Sequence, residues 1–104
     1  KNKSAAVFPE QQISRVNGLM DFNVFPNPFF DRLKIEFMAR ESAHARIDVF
    51  DMNGRLVKTI FEQNIEGEVM YKTEFIPESV ITGTYVYRMT LGKDVYHGTV
   101  IFKK

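Results

Sequence analysis

The chain has 104 residues, the size of a single domain, and its 14 basic and 13 acidic side chains give a formal net charge of +1. Such a balance offers no electrostatic basis for binding nucleic acid or an anionic membrane, because both require a clustered basic excess. Cysteine is absent, which excludes disulfides, thiolate metal sites and cysteine nucleophiles, while 44% apolar residues suffice for a hydrophobic core.

The N-terminal segment, residues 1–17, is polar and its apolar residues follow no sustained period, so we interpret it as a linker. It has no apolar stretch of signal-peptide length, and the missing initiator methionine indicates a fragment of a longer precursor. Residues 18–104 are then expected to form the domain.

Apolar and polar residues alternate from Gly18 onward, which is the pattern of β-strands with one solvated face. After a leading strand that ends at Phe25, the alternation predicts six further strands, in residues 33–37, 46–49, 57–61, 69–75, 85–91 and 95–102. Seven short strands without an amphipathic helix predict an all-β fold, an immunoglobulin-like antiparallel β-sandwich.

Glycines mark the turns between these strands and one strand interior. Asn53-Gly54 predicts a hairpin because both residues tolerate a positive φ, and Gly92 opens a second, shorter hairpin between the last two strands. Gly98 lies inside the last strand, where a glycine indicates a bulge or a close backbone approach.

Residues able to support catalysis or metal binding are few. His44 and His97 lie far apart, each in its own strand, so we interpret them as partly exposed strand residues rather than metal ligands. No serine has the Gly-x-Ser-x-Gly context of a nucleophile. The carboxylates at polar strand positions are expected on a solvated face rather than paired for glycoside chemistry; they are Glu36, Asp48, Glu68 and Glu74. We therefore predict no catalytic residue, metal or cofactor.

Four tyrosines leave two interpretations open: Tyr71, Tyr85, Tyr87 and Tyr96. Exposed aromatic rings would stack on sugars, and the chain would then be an accessory, adhesion or carbohydrate-binding module of a secreted protein. Alternating aromatic residues on a strand more often build the core, with the hydroxyl at its edge.

Four short motifs occur in one order: NVFPNPF at residues 23–29, IDVFDMNGRLV at 47–57, GTYVYR at 83–88, and Gly92 followed by residues 95–102 and Lys103-Lys104. The ordered set resembles the type A C-terminal sorting domain of proteins exported by the type IX secretion system of Bacteroidota. The resemblance extends over about residues 18–104.

This resemblance implies that the domain is a secretion and sorting signal and not a catalyst. Such domains direct a periplasmic cargo protein through the outer-membrane translocon, with a β-barrel shuttle protein as a second partner. A sortase-like cell-surface peptidase removes the domain from many members and joins the cargo to lipopolysaccharide, while other members are released into the medium. The processing site would lie in or beside the linker, within residues 1–22.

The motif residues separate into two expected roles. Those expected to specify the fold bend the chain after the first strand, set the central hairpin or begin the sixth strand across the sandwich: Pro26, Asn27, Pro28, Asp51, Asn53, Gly54, Gly83 and Tyr85. The resemblance places the export determinants in the last strands, where we expect the receptor to read Gly92, Gly98, Lys103 and Lys104. A hydrophobic final strand at a sheet edge also predicts a strand-exchanged homodimer.

Overall fold

The computed structural model describes residues 18–78 and 82–104, so the predicted linker lies outside the described residues. All seven predicted strands are present: β1 Leu19–Phe25, β2 Leu33–Ala39, β3 Ala43–Asp51, β4 Leu56–Ile65, β5 Met70–Phe75, β6 Gly83–Leu91 and β7 Asp94–Phe102. Across both described ranges, no helix has the length and apolar character needed to cross a membrane.

The strands form two antiparallel sheets, one of order β1-β2-β5 and one of order β4-β3-β6-β7. Aromatic rings contact one another between the sheets: Phe37 of β2 lies 5.2 Å from Phe61 of β4, and Phe75 of β5 lies 5.2 Å from Tyr85 of β6. The inward-facing residues of both sheets build one buried cluster. The predicted all-β sandwich is therefore confirmed, and Tyr85 packs across it as expected.

The β3–β4 hairpin turns through a three-residue loop. The backbone N–H of Asp51 donates to the carbonyl of Arg55 at 3.0 Å, and that of Gly54 donates to the carbonyl of Asp51 at 3.0 Å. The hairpin predicted from Asn53-Gly54 is therefore confirmed, and of these two residues Gly54, with a φ of 85°, adopts the left-handed conformation while Asn53 does not. A three-residue loop needs one left-handed residue, and the glycine supplies it.

The Asp51 carboxylate stabilises this loop from inside. It accepts hydrogen bonds from the backbone N–H of Asn53 at 2.9 Å and of Arg55 at 3.0 Å. The bond from Arg55 N–H, followed by that from Asn53, lowers the pKa of Asp51 against the opposing effect of burial. The central hairpin is thus set by Asp51 and Gly54, while Asn53 contributes its backbone.

Candidate functional site

The first strand ends at Phe25, directly before Pro26, as the loss of proline N–H donors predicts. Residues 26–29, which we call the clasp, then run beside β7. The Asn27 side chain takes part in two hydrogen bonds: its Nδ2 donates to the carbonyl of Thr99 at 3.3 Å, and its Oδ1 accepts from the N–H of Ile101 at 3.0 Å.

The backbone of Phe29 continues this pairing with β7. Its N–H donates to the carbonyl of Ile101 at 2.8 Å, and its carbonyl accepts from the N–H of Lys103 at 2.9 Å. Phe29 and Phe102 form an isolated parallel β-bridge at the same place. Since β7 is the last strand of its sheet, the clasp covers the outer edge of the second half of β7.

The ring of Phe29 fixes the clasp in the core. It is completely buried, and its centroid lies 5.2 Å from the ring of Phe102 and 6.3 Å from the ring of Phe75 in the opposite sheet. The next residue, Phe30, is 65% exposed. One aromatic side chain thus holds the clasp between the sheets while its neighbour lies at the surface.

Lys103 and Lys104 follow β7 with exposed side chains on a backbone that is held in place. The N–H of Lys103 donates to the carbonyl of Phe29, and the N–H of Lys104 donates to the Oγ1 of Thr82 at 2.9 Å. The two ammonium groups are therefore presented to solvent from a main chain that the clasp and Thr82 position.

The four residues expected to contact a receptor do not form one surface. Gly92, with a φ of 60°, opens the two-residue β6–β7 turn at the end of β7 opposite the two lysines. Gly98 pairs with Tyr87 without a register shift, so it marks no bulge. A Cβ on Gly98 would lie 2.6 Å from Cζ of Tyr87 and against its Oη, so the glycine leaves room for the Tyr87 ring.

The tyrosines belong to the core rather than to a sugar-stacking surface. Tyr87 and Tyr96 are each 6% exposed, and Tyr71 and Tyr85 are partly buried and packed against the core cluster. The core interpretation is confirmed for all four, and none of them supports the carbohydrate-binding alternative.

Asp48 is buried, whereas the sequence predicted a solvated carboxylate, and that prediction was wrong. Its residue exposure is 2%, although it lies on the outer face of the four-stranded sheet. Thr59 Oγ1 donates to its Oδ1 at 2.6 Å, and Arg46 Nε donates to its two oxygens at 3.0 and 3.1 Å. Arg88 Nη2 lies 3.6 Å from Oδ2 of Asp48, and the Arg88 guanidinium lies over the ring of Phe50. These neighbouring side chains take the place of water.

Two opposing effects set the pKa of Asp48. Burial raises it, but the hydrogen bonds from Thr59 and Arg46, together with the charges of Arg46 and Arg88, outweigh burial, so the pKa lies below its usual range. The cluster is a satisfied structural network. Over residues 18–78 and 82–104, no three His, Asp or Glu side chains lie together as metal ligands would.

Comparison with known proteins decides the family. The sequence pattern described as "Secretion system C-terminal sorting domain" matches residues 23–103, which include the clasp and β7. The chain belongs to this family. A comparison with curated protein sequences gives no match. Among solved structures, the crystal structure of a hypothetical protein from Pyrococcus horikoshii OT3 aligns at 11% identity and a TM-score of 0.45, covering 89% of this chain and 95% of that one.

Membership assigns a coarse function: the sorting domain is a C-terminal signal of the type IX secretion system and interacts with its machinery. The family acts as an address rather than as a catalyst. The match begins at Asn23, three residues before the clasp, and ends at Lys103, which is hydrogen-bonded to the clasp.

The sequence did not predict the contacts of several residues that build the exposed end of the sorting domain. Phe29 was part of a motif without an assigned partner, and neither Thr82 nor the pairing of Asn27 with β7 was expected. The available signal was chemical: an asparagine between two prolines replaces missing backbone donors with a side-chain amide. Its partner strand, however, is read only from the fold.

The histidine predicted to be a partly exposed strand residue, His44, has two hydrogen-bond partners in the sorting domain. Its Nδ1 lies 3.0 Å from Oδ1 of Asn64, and its Nε2 lies 3.2 Å from Oε2 of Glu62. Both ring nitrogens can donate at once only when the ring is protonated, so the bond to Asn64, followed by that to Glu62, raises the pKa of His44.

We therefore expect Asn64→Ala to lower the pKa of His44, measured by NMR titration of its ring protons. Because the folded-state pKa is raised, His44 stabilises the fold fully below about pH 6.5 and loses that contribution as pH rises through the folded pKa. An unchanged titration in Asn64→Ala would contradict the role of the amide.

Proposed function

We propose that this sorting domain is the part of an exported precursor that the type IX outer-membrane translocon and its β-barrel shuttle protein recognise. Lys103 and Lys104 are the charged contacts. The observation that carries this assignment is their placement: two exposed ammonium groups follow the last strand on a backbone held by Phe29 and Thr82. Fixed cations of this kind steer an acidic partner surface and favour one docking orientation.

Gly92 and Gly98 have separate roles in this proposal. Gly92 is exposed in the β6–β7 turn and provides a second contact at the other end of the strand. Gly98 faces inward beneath Tyr87, so its effect on recognition acts through the shape of β7. The sorting domain itself carries out no reaction; its partners are proteins of the secretion machine.

The route follows from the proposed partners. The sorting domain passes through the periplasm with its cargo and reaches the cell surface or the medium. A sortase-like peptidase then cuts within residues 1–22, before β1 or in its first half, and joins the cargo to lipopolysaccharide.

The test is an export assay in a type IX-competent bacterium. A fluorescent protein with a signal peptide is fused to residues 1–104, and the reporter is measured in periplasm, surface and medium. We expect export of the intact fusion, retention of a fusion lacking residues 83–104, and an exported fraction reduced about 10-fold or more by Lys103→Ala/Lys104→Ala, a typical size for lost charge steering.

The matched control is Lys58→Ala/Lys72→Ala, which removes two exposed lysines from β4 and β5 and should export normally. Equal export by both double variants would contradict the role of Lys103 and Lys104. If the intact, protease-resistant fusion stays in the periplasm, the sorting proposal is wrong, and a glycan screen of the accessory-module alternative comes next.

A further inference from the structure

We propose that Asn27 is a positioning residue of the sorting signal: the clasp holds the outer edge of β7 and thereby sets where Lys103 and Lys104 are presented. This inference rests on the proposed role of the two lysines. It joins the motif at residues 23–29 to the last strand, although Asn27 lies 72 and 74 residues from its two hydrogen-bond partners.

The hydrogen bonds of β7 carry the first step. Four successive outward-facing backbone groups, in the second half of β7 and the residue after it, bind the clasp: Thr99 C=O, Ile101 N–H, Ile101 C=O and Lys103 N–H. The last strand of a sheet otherwise presents such groups as a template for another chain. The clasp therefore acts as a short surrogate strand along this half of β7.

The chemistry of the clasp explains why an asparagine is needed. Pro26 and Pro28 have no N–H, so the backbone on either side of Asn27 cannot donate to β7. The Asn27 amide has both an acceptor and a donor, and it reproduces the pair of bonds that a strand residue makes. An aspartate has no donor, and its carboxylate would repel the carbonyl oxygen of Thr99. This repulsion moves the side chain away from β7, so the bond to the N–H of Ile101 is lost as well.

The anchor of the clasp transmits this position to the lysines. Phe29 is buried between the sheets, and its carbonyl binds the N–H of Lys103. When the clasp is released, the backbone from Thr99 to Lys103 loses its hydrogen-bond partners on the outer edge of β7. The main chain that carries Lys103 and Lys104 then frays, and the two charges no longer share one position.

The clasp also bears on self-association. The predicted strand-exchanged homodimer uses the free edge of the final strand, but residues 99–103 of that edge already bind the clasp. A second copy can pair along this half of β7 only after the clasp opens. Asn27→Asp should therefore increase dimerisation at high protein concentration, in addition to disturbing export.

The structural test is amide hydrogen exchange on the 104-residue chain. In Asn27→Asp we expect the Ile101 amide to exchange about 10-fold faster and the Lys103 amide about 3-fold faster, with β3 amides within about 2-fold of wild type. Asn64→Asp is the matched control, since it changes an exposed asparagine on β4 and keeps the acceptor for His44. If amide exchange in β3 accelerates as much as at Ile101, the measurement is repeated with Asn27→Ala, which adds no charge.

The functional test combines Asn27→Asp with the lysine changes in the export assay. A positioning residue lowers the exported fraction towards that of Lys103→Ala/Lys104→Ala, and it adds no further loss when that pair is already absent. Asn64→Asp should export normally.

The outcomes separate the two proposals. No export of the intact fusion overturns the proposed function itself. With export and the lysine effect in place, three results overturn the positioning role alone: unchanged exchange at Ile101 and Lys103, normal export despite faster exchange, or losses from Asn27→Asp and the lysine pair that add in full.

Discussion

Replacing Phe29 with alanine is expected to lower the free energy of unfolding by about 3–5 kcal/mol, the usual cost of removing a fully buried phenylalanine. The ring is completely buried and contacts Phe102 of its own side of the sandwich and Phe75 of the other sheet. Its loss leaves a cavity where the clasp, β5 and β7 meet. Domains of this size have only about 5–15 kcal/mol of stability in total.

The adjacent residue provides the control. Phe30→Ala removes the same side chain from a position that is 65% exposed, and it should change the free energy of unfolding by less than about 0.5 kcal/mol. Urea unfolding followed by circular dichroism measures both variants, with the slope in urea expected to stay constant. Similar losses for the two variants would show that Phe29 does not anchor the clasp.

The strands could be predicted because the alternation of apolar and polar residues is local, but not all of their ends could. β4 extends to Ile65, beyond the predicted end at Phe61, through the polar residues 62–64. These residues do not alternate with apolar ones, so the pattern is lost there. Cross-strand partners supply the missing stabilisation, since Glu62 pairs with Arg46 and Asn64 with His44 on β3.

The clasp shows a different limit. The prolines correctly predicted that the chain leaves the strand after Phe25, because that property belongs to the residues themselves. The role of Asn27 depends on β7, which lies more than 70 residues away in the chain and reaches the clasp only after both sheets have formed. The Pro26-Asn27-Pro28 segment could therefore be recognised as a bend, but its hydrogen bonds with the outer edge of β7 could not be predicted.

Asp48 shows why alternation alone misplaces a charge. The alternation of apolar and polar residues correctly placed Asp48 on the outer face of its strand, but a residue on an outer face is not always exposed to solvent. Arg46 on the same strand, Thr59 on β4 and Arg88 on β6 cover the carboxylate. These neighbours follow from the register of three strands, which the sequence does not specify.

Replacing Asp48 with alanine is expected to lower the free energy of unfolding at neutral pH by about 2 kcal/mol, near the lower end for charged hydrogen bonds. Removing one partner of a fully buried ion pair costs more. Here, however, Arg46 and Arg88 are 41% and 49% exposed and regain water when the carboxylate is lost. Asp48→Asn should cost less, because its amide oxygen still accepts from Thr59.

The pH dependence distinguishes lost charge from lost packing. Since the folded-state pKa of Asp48 is lowered, its contribution is present above about pH 4, the ordinary range of aspartate, and is lost as pH falls through the folded-state pKa. Urea unfolding between neutral and acidic pH should therefore show the gap between wild type and Asp48→Asn closing as Asp48 becomes protonated. Glu74→Gln, which breaks an exposed pair with Arg32, should leave stability nearly unchanged at every pH. A gap for Asp48→Asn that stays constant down to the lowest pH would mean that shape, not charge, holds this network together.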